Sequence, residues 1–189
     1  MSEALIRHYY QSFNERRFAD AAALFTEDAV LELIPVGRAQ GGAGYLRFAA
    51  SWSAAFPNAA FSIDRIEARD ATIREVYLLA TGTHRGILDF GVYRFKPTNA
   101  DAVLHVRELL DIRDGKITAS VMSVDLNDLV TQLVKVDYDD LMRRLERIRA
   151  LSDELVHTVG DETRHRDVIT RLGTEVDAAR RALRPHFNR

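Results

Sequence analysis

Apolar and polar residues alternate with a period of two from Leu104 to Ile112 and again from Ile117 toward Asp125, which predicts two β-strands. Asp114-Gly115 between them predicts a two-residue turn, because both turn positions need positive φ, which Asp tolerates and Gly adopts freely. Setting Arg113 opposite Lys116 then pairs Ile112 with Ile117, Leu110 with Ala119, Glu108 with Val121, Val106 with Ser123 and Leu104 with Asp125. Alternate residues share a face, so Glu108 and Asp125 intrude on an otherwise apolar one. An ionised carboxylate there costs several kcal/mol unless it is paired or hydrogen-bonded. An arginine partner would account for Glu108, and the N-cap of a helix beginning near Leu126 would account for Asp125 as well as chemistry does. A strand rise of about 3.3 Å per residue puts Asp125 ~13 Å from the Glu108–Val121 rung, so the two acids are not expected to share a proton.

The remaining pattern supplies the other elements. Leu5, Ile6, Tyr9, Tyr10 and Phe13 recur at helical spacing up to Asn14, and a second short helix follows from Phe18 to Phe25. Tyr9 and Tyr10 are consecutive, so only one of them is expected to point inward. Ala29 to Ile34 reads as an apolar strand, 38–44 as a glycine-rich loop, and Tyr45, Phe48, Ala49, Trp52 and Phe56 as one face of a third helix. Strands are predicted near Phe61 to Ile66, over Ile73 to His84 and over Val103 to Arg113, with an irregular connection from Leu88 to Asp101. Helices gathered before a run of antiparallel strands give an α+β arrangement, a curved sheet with helices on one face.

After Asp137 the strand signal ends. Leu141, Leu145, Ile148, Ser152, Leu155 and Val159 alternate steps of four and three, as do His165, Ile169, Leu172, Val176, Ala179 and Leu183. The two series are out of phase across Gly160-Asp161, a stop followed by an N-cap, so two helices in a hairpin are expected. The domain division is therefore 1–135 for the α+β unit and 136–189 for a helical, coiled-coil-like extension. The extension carries 11 basic and 11 acidic residues.

Charge and composition exclude more than they assign. With 26 basic and 28 acidic residues, net charge −2, no global field favours nucleic acid or an anionic membrane. No cysteine is present, which removes disulfides, thiolate metal sites and cysteine nucleophiles. GGAG (41–44) lacks the Lys-Ser/Thr of a phosphate loop. The histidines of the extension have no carboxylate spacing suited to a metal, so no metal is expected. No run is long and apolar enough to span a bilayer, and a cytoplasmic location is expected.

Five segments in order, AAFPNAAFSIDRI (Ala54–Ile66), ATGTHRG (Ala80–Gly86), PTN (Pro97–Asn99), IRDGKI (Ile112–Ile117) and VDLNDLVTQL (Val124–Leu133), resemble the SnoaL-like polyketide cyclase family, within the superfamily shaped like nuclear transport factor 2. The resemblance covers about residues 1–135. It implies a cone-shaped α+β barrel whose curved antiparallel sheet has the N-terminal helices over its concave face, a single pocket, frequent dimerisation, and aldol ring closure without a cofactor. It also implies an acid at the end of the last strand, a position matched here by Asp125, and the histidine of a GTHxG segment, matched by His84. Where that family carries Glu-His-Trp, this chain has Ala119, Ser120 and Val121, and Ile87 to Lys96 departs from its usual glycine-containing turn.

The chemistry expected on this basis is cofactor-independent acid/base catalysis. Asp125 would take the α-proton of a small hydrophobic, polyketide-like or other carbonyl substrate, leading to aldol cyclisation or isomerisation. His84, Tyr9 or Tyr10, and Glu108 in protonated form would bind the oxyanion. Tyr45, Phe48, Trp52, Phe56 and Phe61 would line the pocket, together with Val121 and Ser123 from the hairpin face. A structural role for His84 at a strand end is the competing expectation. Two further readings stand beside this one: epoxide-hydrolase-like hydrolysis in the same pocket, and a non-catalytic ligand-binding or dimerisation module. A homodimer, with the C-terminal helices as its contact, is the expected assembly.

Overall fold

The structure, a computed structural model, describes residues 2–34, 36–90, 94–134 and 138–183. It divides into two compact units, Met1–Leu133 and Val134–Arg189. The expected boundary at 135/136 lies outside the described residues.

In the first unit, α1 (Ser2–Asn14) buries Ile6, Tyr9, Tyr10 and Phe13 at the spacing of one helix face. Both tyrosines are buried, at 4% and 2% exposure, because the α1 stripe is wide enough to turn consecutive residues inward. The Asn14 side chain fastens the end of α1 to the main chain of Phe61, donating to its carbonyl and accepting from its N–H, both at 2.8 Å. Next come α2 (Phe18–Ala22), β1 (Phe25–Ile34), β2 (Gly37–Gln40) and α3 (Gly41–Ala55). The short strand β2 occupies part of the stretch expected to be a loop, and Phe25 begins β1 rather than ending α2. Strands β3 (Ala60–Ala68) and β4 (Ile73–Thr83) precede a two-rung ladder of β5 (Leu88–Asp89) and β6 (Arg94–Phe95). The hairpin of β7 (Asp101–Arg113) and β8 (Lys116–Val124) leads into α4 (Leu126–Leu133).

The main sheet has the order β2-β1-β8-β7-β4-β3. It is curved and unclosed: β2 and β3 are its two edges, so the expected barrel is an open one. It is also not wholly antiparallel, since β1 runs parallel to β8. Its inner face carries Val76, Leu78 and Ala80 of β4, Leu104, Val106 and Leu110 of β7, and Met122 of β8, all buried.

Asp114 and Gly115 take φ of 50° and 72°, as the turn requires, and Arg113 does pair with Lys116. The register then slips. Ile112 pairs with Ile117 but Asp111 with Ala119, which leaves Thr118 as the extra residue of a β-bulge, its hydroxyl donating to the Asp111 carbonyl at 3.2 Å. Beyond it Leu110 faces Ser120, Glu108 faces Met122 and Val106 faces Val124. A one-residue slip exchanges the faces of a strand. Ser120 and Met122 therefore point inward, and Val121 and Ser123 do not.

The segment after β4 is held tightly to α3. The N–H groups of Arg85 and Gly86 both donate to the Ala55 carbonyl, at 2.9 and 3.0 Å. A Cβ on Gly86 would lie 1.8 Å from the Ala54 carbonyl oxygen, so no side chain fits. Gly86→Ala is expected to destabilise the protein by about 2–3 kcal/mol, the cost of overpacking against backbone that cannot move aside. Denaturant titration checks this, and a change below about 0.5 kcal/mol would contradict it.

The second unit is a helical hairpin of α5 (Tyr138–Val156) and α6 (Glu162–Leu183). Asp161 caps α6 by accepting from the Arg164 N–H at 3.0 Å. Leu151, Val168 and Ala179 are buried. Among the described residues, no helix is long and apolar enough to cross a membrane.

Candidate functional site

Two glutamates of the sheet are fully buried, and their surroundings differ in kind. Glu75 is bound by the guanidinium groups of Arg69 and Arg107, the arrangement that makes a buried acid structural. Glu108, in the middle of β7, has no basic partner among the described residues. It is held by neutral donors only: the Tyr10 hydroxyl from α1 donates to Oε2, and the Ser120 hydroxyl from β8 donates to Oε1. Burial raises the Glu108 carboxyl from its ordinary 4.5 to about 7, the two hydrogen bonds opposing that rise without cancelling it.

Glu108 and Ser120 are the buried polar lining of a cavity of about 320 Å³. Aromatic rings form part of its walls, Tyr9 from α1, Tyr45, Phe48 and Trp52 from α3, and Phe90, beside aliphatic Leu31, Leu33 and Met122. These rings come together because α3 presents residues 45, 48 and 52 on one side, with Phe48 and Trp52 stacked at 6.4 Å between centroids. Exposed Arg38, Arg47 and Asp89 stand among the remaining lining residues. The Tyr45 hydroxyl is buried with no hydrogen-bond partner among the described residues, on a side chain 1% exposed. Burial and the nearby Glu108 charge raise its pKa, so it stays a donor. A buried donor without an acceptor beside a cavity is a group waiting for a ligand oxygen. Burial, then Glu108, raise Tyr9 and Tyr10 in the same direction.

The other residues singled out in the sequence lie elsewhere. Phe56 and Phe61 are core: Phe56 packs 4.8 Å from the Trp52 ring, and Phe61 packs 4.8 Å from Phe13 and 5.8 Å from Tyr10. His84 lies behind Phe56, ring centroids 5.2 Å apart, outside the cavity lining. Its Nδ1 is 3.1 Å from the Thr98 hydroxyl, Nε2 has no partner among the described residues, and burial lowers its pKa. Val121 and Ser123 are on the opposite face of β8, and the Ser123 hydroxyl donates to the Arg107 carbonyl at 3.3 Å.

Asp125 is exposed. Its Oδ1 accepts from the N–H groups of Asn127 and Asp128, at 2.9 and 3.1 Å, and so caps α4. It borders a separate recess with Ile34, Phe95 and Val130, away from Glu108. The slip at Thr118 explains the difference. The register without it put Glu108 across from Val121 and made Asp125 the last residue of the inner face. With it, that inner row ends at Val124, and Ser120 becomes the neighbour of Glu108.

In comparison with proteins of known structure, the chain is similar to a proposed polyketide cyclase from Xanthomonas campestris pv. campestris, at 21% identity and TM-score 0.59, covering 69% of this chain and 95% of that one. It is similar to IdmH, a proposed polyketide cyclase from Streptomyces antibioticus, at 22% identity and TM-score 0.59, over 69% and 96%. A third is a Catenulispora acidiphila protein with a ketosteroid isomerase-like fold, at 15% identity and TM-score 0.57, over 68% and 90%. These likenesses establish the fold. Among curated protein sequences none matches this chain. Residues 6–120, from the first buried position of α1 to the serine that holds Glu108, match the SnoaL-like domain, and the chain belongs to that family.

Proposed function

We propose that this protein is a cofactor-independent cyclase or isomerase of small carbonyl compounds, and that Glu108, rather than Asp125, exchanges the proton. The observation that carries the reading is a fully buried carboxyl on the lining of a cavity with aromatic walls, held by two hydroxyls and with no cationic partner among the described residues; burial raises its pKa to about 7. A group titrating there is present in both forms near neutral pH, so it can take a proton and return it.

In this mechanism the ionised carboxylate removes the proton α to a substrate carbonyl, and the electron pair of the C–H bond moves to the carbonyl oxygen as an enolate. The Tyr45 hydroxyl donates a hydrogen bond to that oxygen. Glu108 then returns the proton at another carbon, completing an isomerisation. Alternatively the enolate carbon attacks a second carbonyl of the same substrate, closing a ring, and the new alkoxide takes the proton. Tyr10 and Ser120 are positioning residues, each fixing one carboxyl oxygen, which keeps a further lone pair able to accept. The aromatic walls favour an apolar or aromatic substrate body.

The test compares two variants on an enolisable 1,3-dicarbonyl, read by exchange of its α-proton with deuterium from solvent. Asp125→Asn keeps a capping side chain and is expected to exchange within about twofold of the parent protein, whereas Glu108→Gln loses exchange. Asp125→Ala is expected to cost about 1 kcal/mol of stability through the lost cap, with exchange again retained. Loss of exchange in Asp125→Asn with exchange retained in Glu108→Gln would return the role to Asp125.

A further inference from the structure

The hairpin of the second unit has two unlike sides. On one side ion pairs bridge the helices: Arg144 and Arg147 of α5 reach Glu175 at 3.6 and 3.2 Å, and Arg164 and Arg171 of α6 reach Glu154 at 3.4 and 3.6 Å. On the other side Leu145 of α5 and Ile169 and Val176 of α6 are 47%, 49% and 45% exposed. Apolar side chains grouped on one side of a two-helix hairpin leave a face that needs a partner.

Gly173 lies between Ile169 and Val176 on the same row of α6, one step of four and one of three away. Glycine in the middle of a helix is costly, and among the described residues nothing requires it here, because a Cβ at this position would meet none of their atoms within 4 Å. Small residues at such positions allow a second helix to approach closely. At the two ends of the row stand Arg166 and Asp177, both exposed and neither with an ion-pair partner among the described residues.

We infer that this face binds the same face of a second copy of the chain, with the two α6 helices antiparallel. The row is complementary to itself when reversed. An identical row running the other way puts Arg166 of each copy across from Asp177 of the other, and brings Ile169 of each within one residue of Gly173 of the other. Both charges at the rim are then paired, and the space above each glycine is filled.

Sedimentation equilibrium of the full chain over a range of concentrations tests this. The parent protein is expected to dimerise, and Arg166→Asp to raise the dimer dissociation constant at least ~10-fold, a loss typical of reversing a complementary charge. Combining it with Asp177→Arg restores the constant to within about threefold. Ile169→Glu gives a monomer whose helical circular dichroism is unchanged. A parent protein that is monomeric throughout overturns the inference, as does a dimer whose constant does not respond to Ile169→Glu. So does a monomer that Ile169→Glu makes less stable to heat, because the face is then covered within one chain. If Ile169→Glu fails to fold, the charge reversal and its double variant decide alone.

Discussion

Glu108→Gln is expected to lower turnover by ~10²–10⁴-fold, the range lost when a positioned acid or base is removed. The substitution keeps the shape of the side chain and changes only its capacity to carry the proton. Its amide oxygen still accepts from one hydroxyl, and its amide nitrogen donates to the other, which rotates to accept. Binding of an unreactive substrate analogue is therefore expected to change by less than about threefold while exchange at the α-carbon disappears. Both measurements are needed. A variant that loses binding and turnover together has lost its pocket, and one that keeps full turnover removes Glu108 from the mechanism.

The acid at this position was legible in the sequence, and its partners only in part. Glu108 is conspicuous because it interrupts the alternation Leu104, Val106, Leu110, a polar residue where each neighbour on the row is apolar. Ser120 was hidden by the bulge at Thr118. Nothing in KITASVMSV marks an extra residue, because Ala119, Val121 and Ser123 are about as apolar as Ser120, Met122 and Val124, so neither register is favoured by burial alone. The turn at Asp114-Gly115 was legible because its chemistry is local, two residues that accept positive φ. The parallel pairing of β1 with β8 joins strands far apart in sequence and has no local signature. β2 carries no strand signal, because GRAQ has neither alternation nor an apolar run. Asp125 is the reverse case. Cap and catalyst demand the same residue type before a helix, and only its exposure and the two N–H groups it accepts from separate them. Glu75 makes the same point from the other side of the sheet. A buried glutamate is as unusual there as at position 108, but its two arginines come from a loop and a neighbouring strand that only the fold brings together.

The cost of keeping Glu108 without a cation is expected to appear as a fall in stability with rising pH. In the unfolded chain this carboxyl titrates near 4.5, and in the folded protein near 7. Between those values the folded state holds a proton that the unfolded state has released, so stability decreases as pH rises through the window. The contribution is complete below about pH 4.5 and gone above about pH 7. A shift of this size corresponds to about 3 kcal/mol, most of it lost between about pH 5 and pH 8. His84 acts in the opposite sense. Burial lowers its pKa, so the unfolded state takes up the proton first on acidification, and stability from this residue is lost as pH falls through the ordinary histidine range. The two trends mask each other in the parent protein and separate in a difference. Glu108→Gln retains His84 but has no carboxyl to ionise, so its stability relative to the parent should rise by roughly 2–3 kcal/mol from pH 5 to pH 8 in paired urea titrations. A difference that stays flat over that range would show that Glu108 is not an unpaired buried acid, and the proton-transfer role would fall with it.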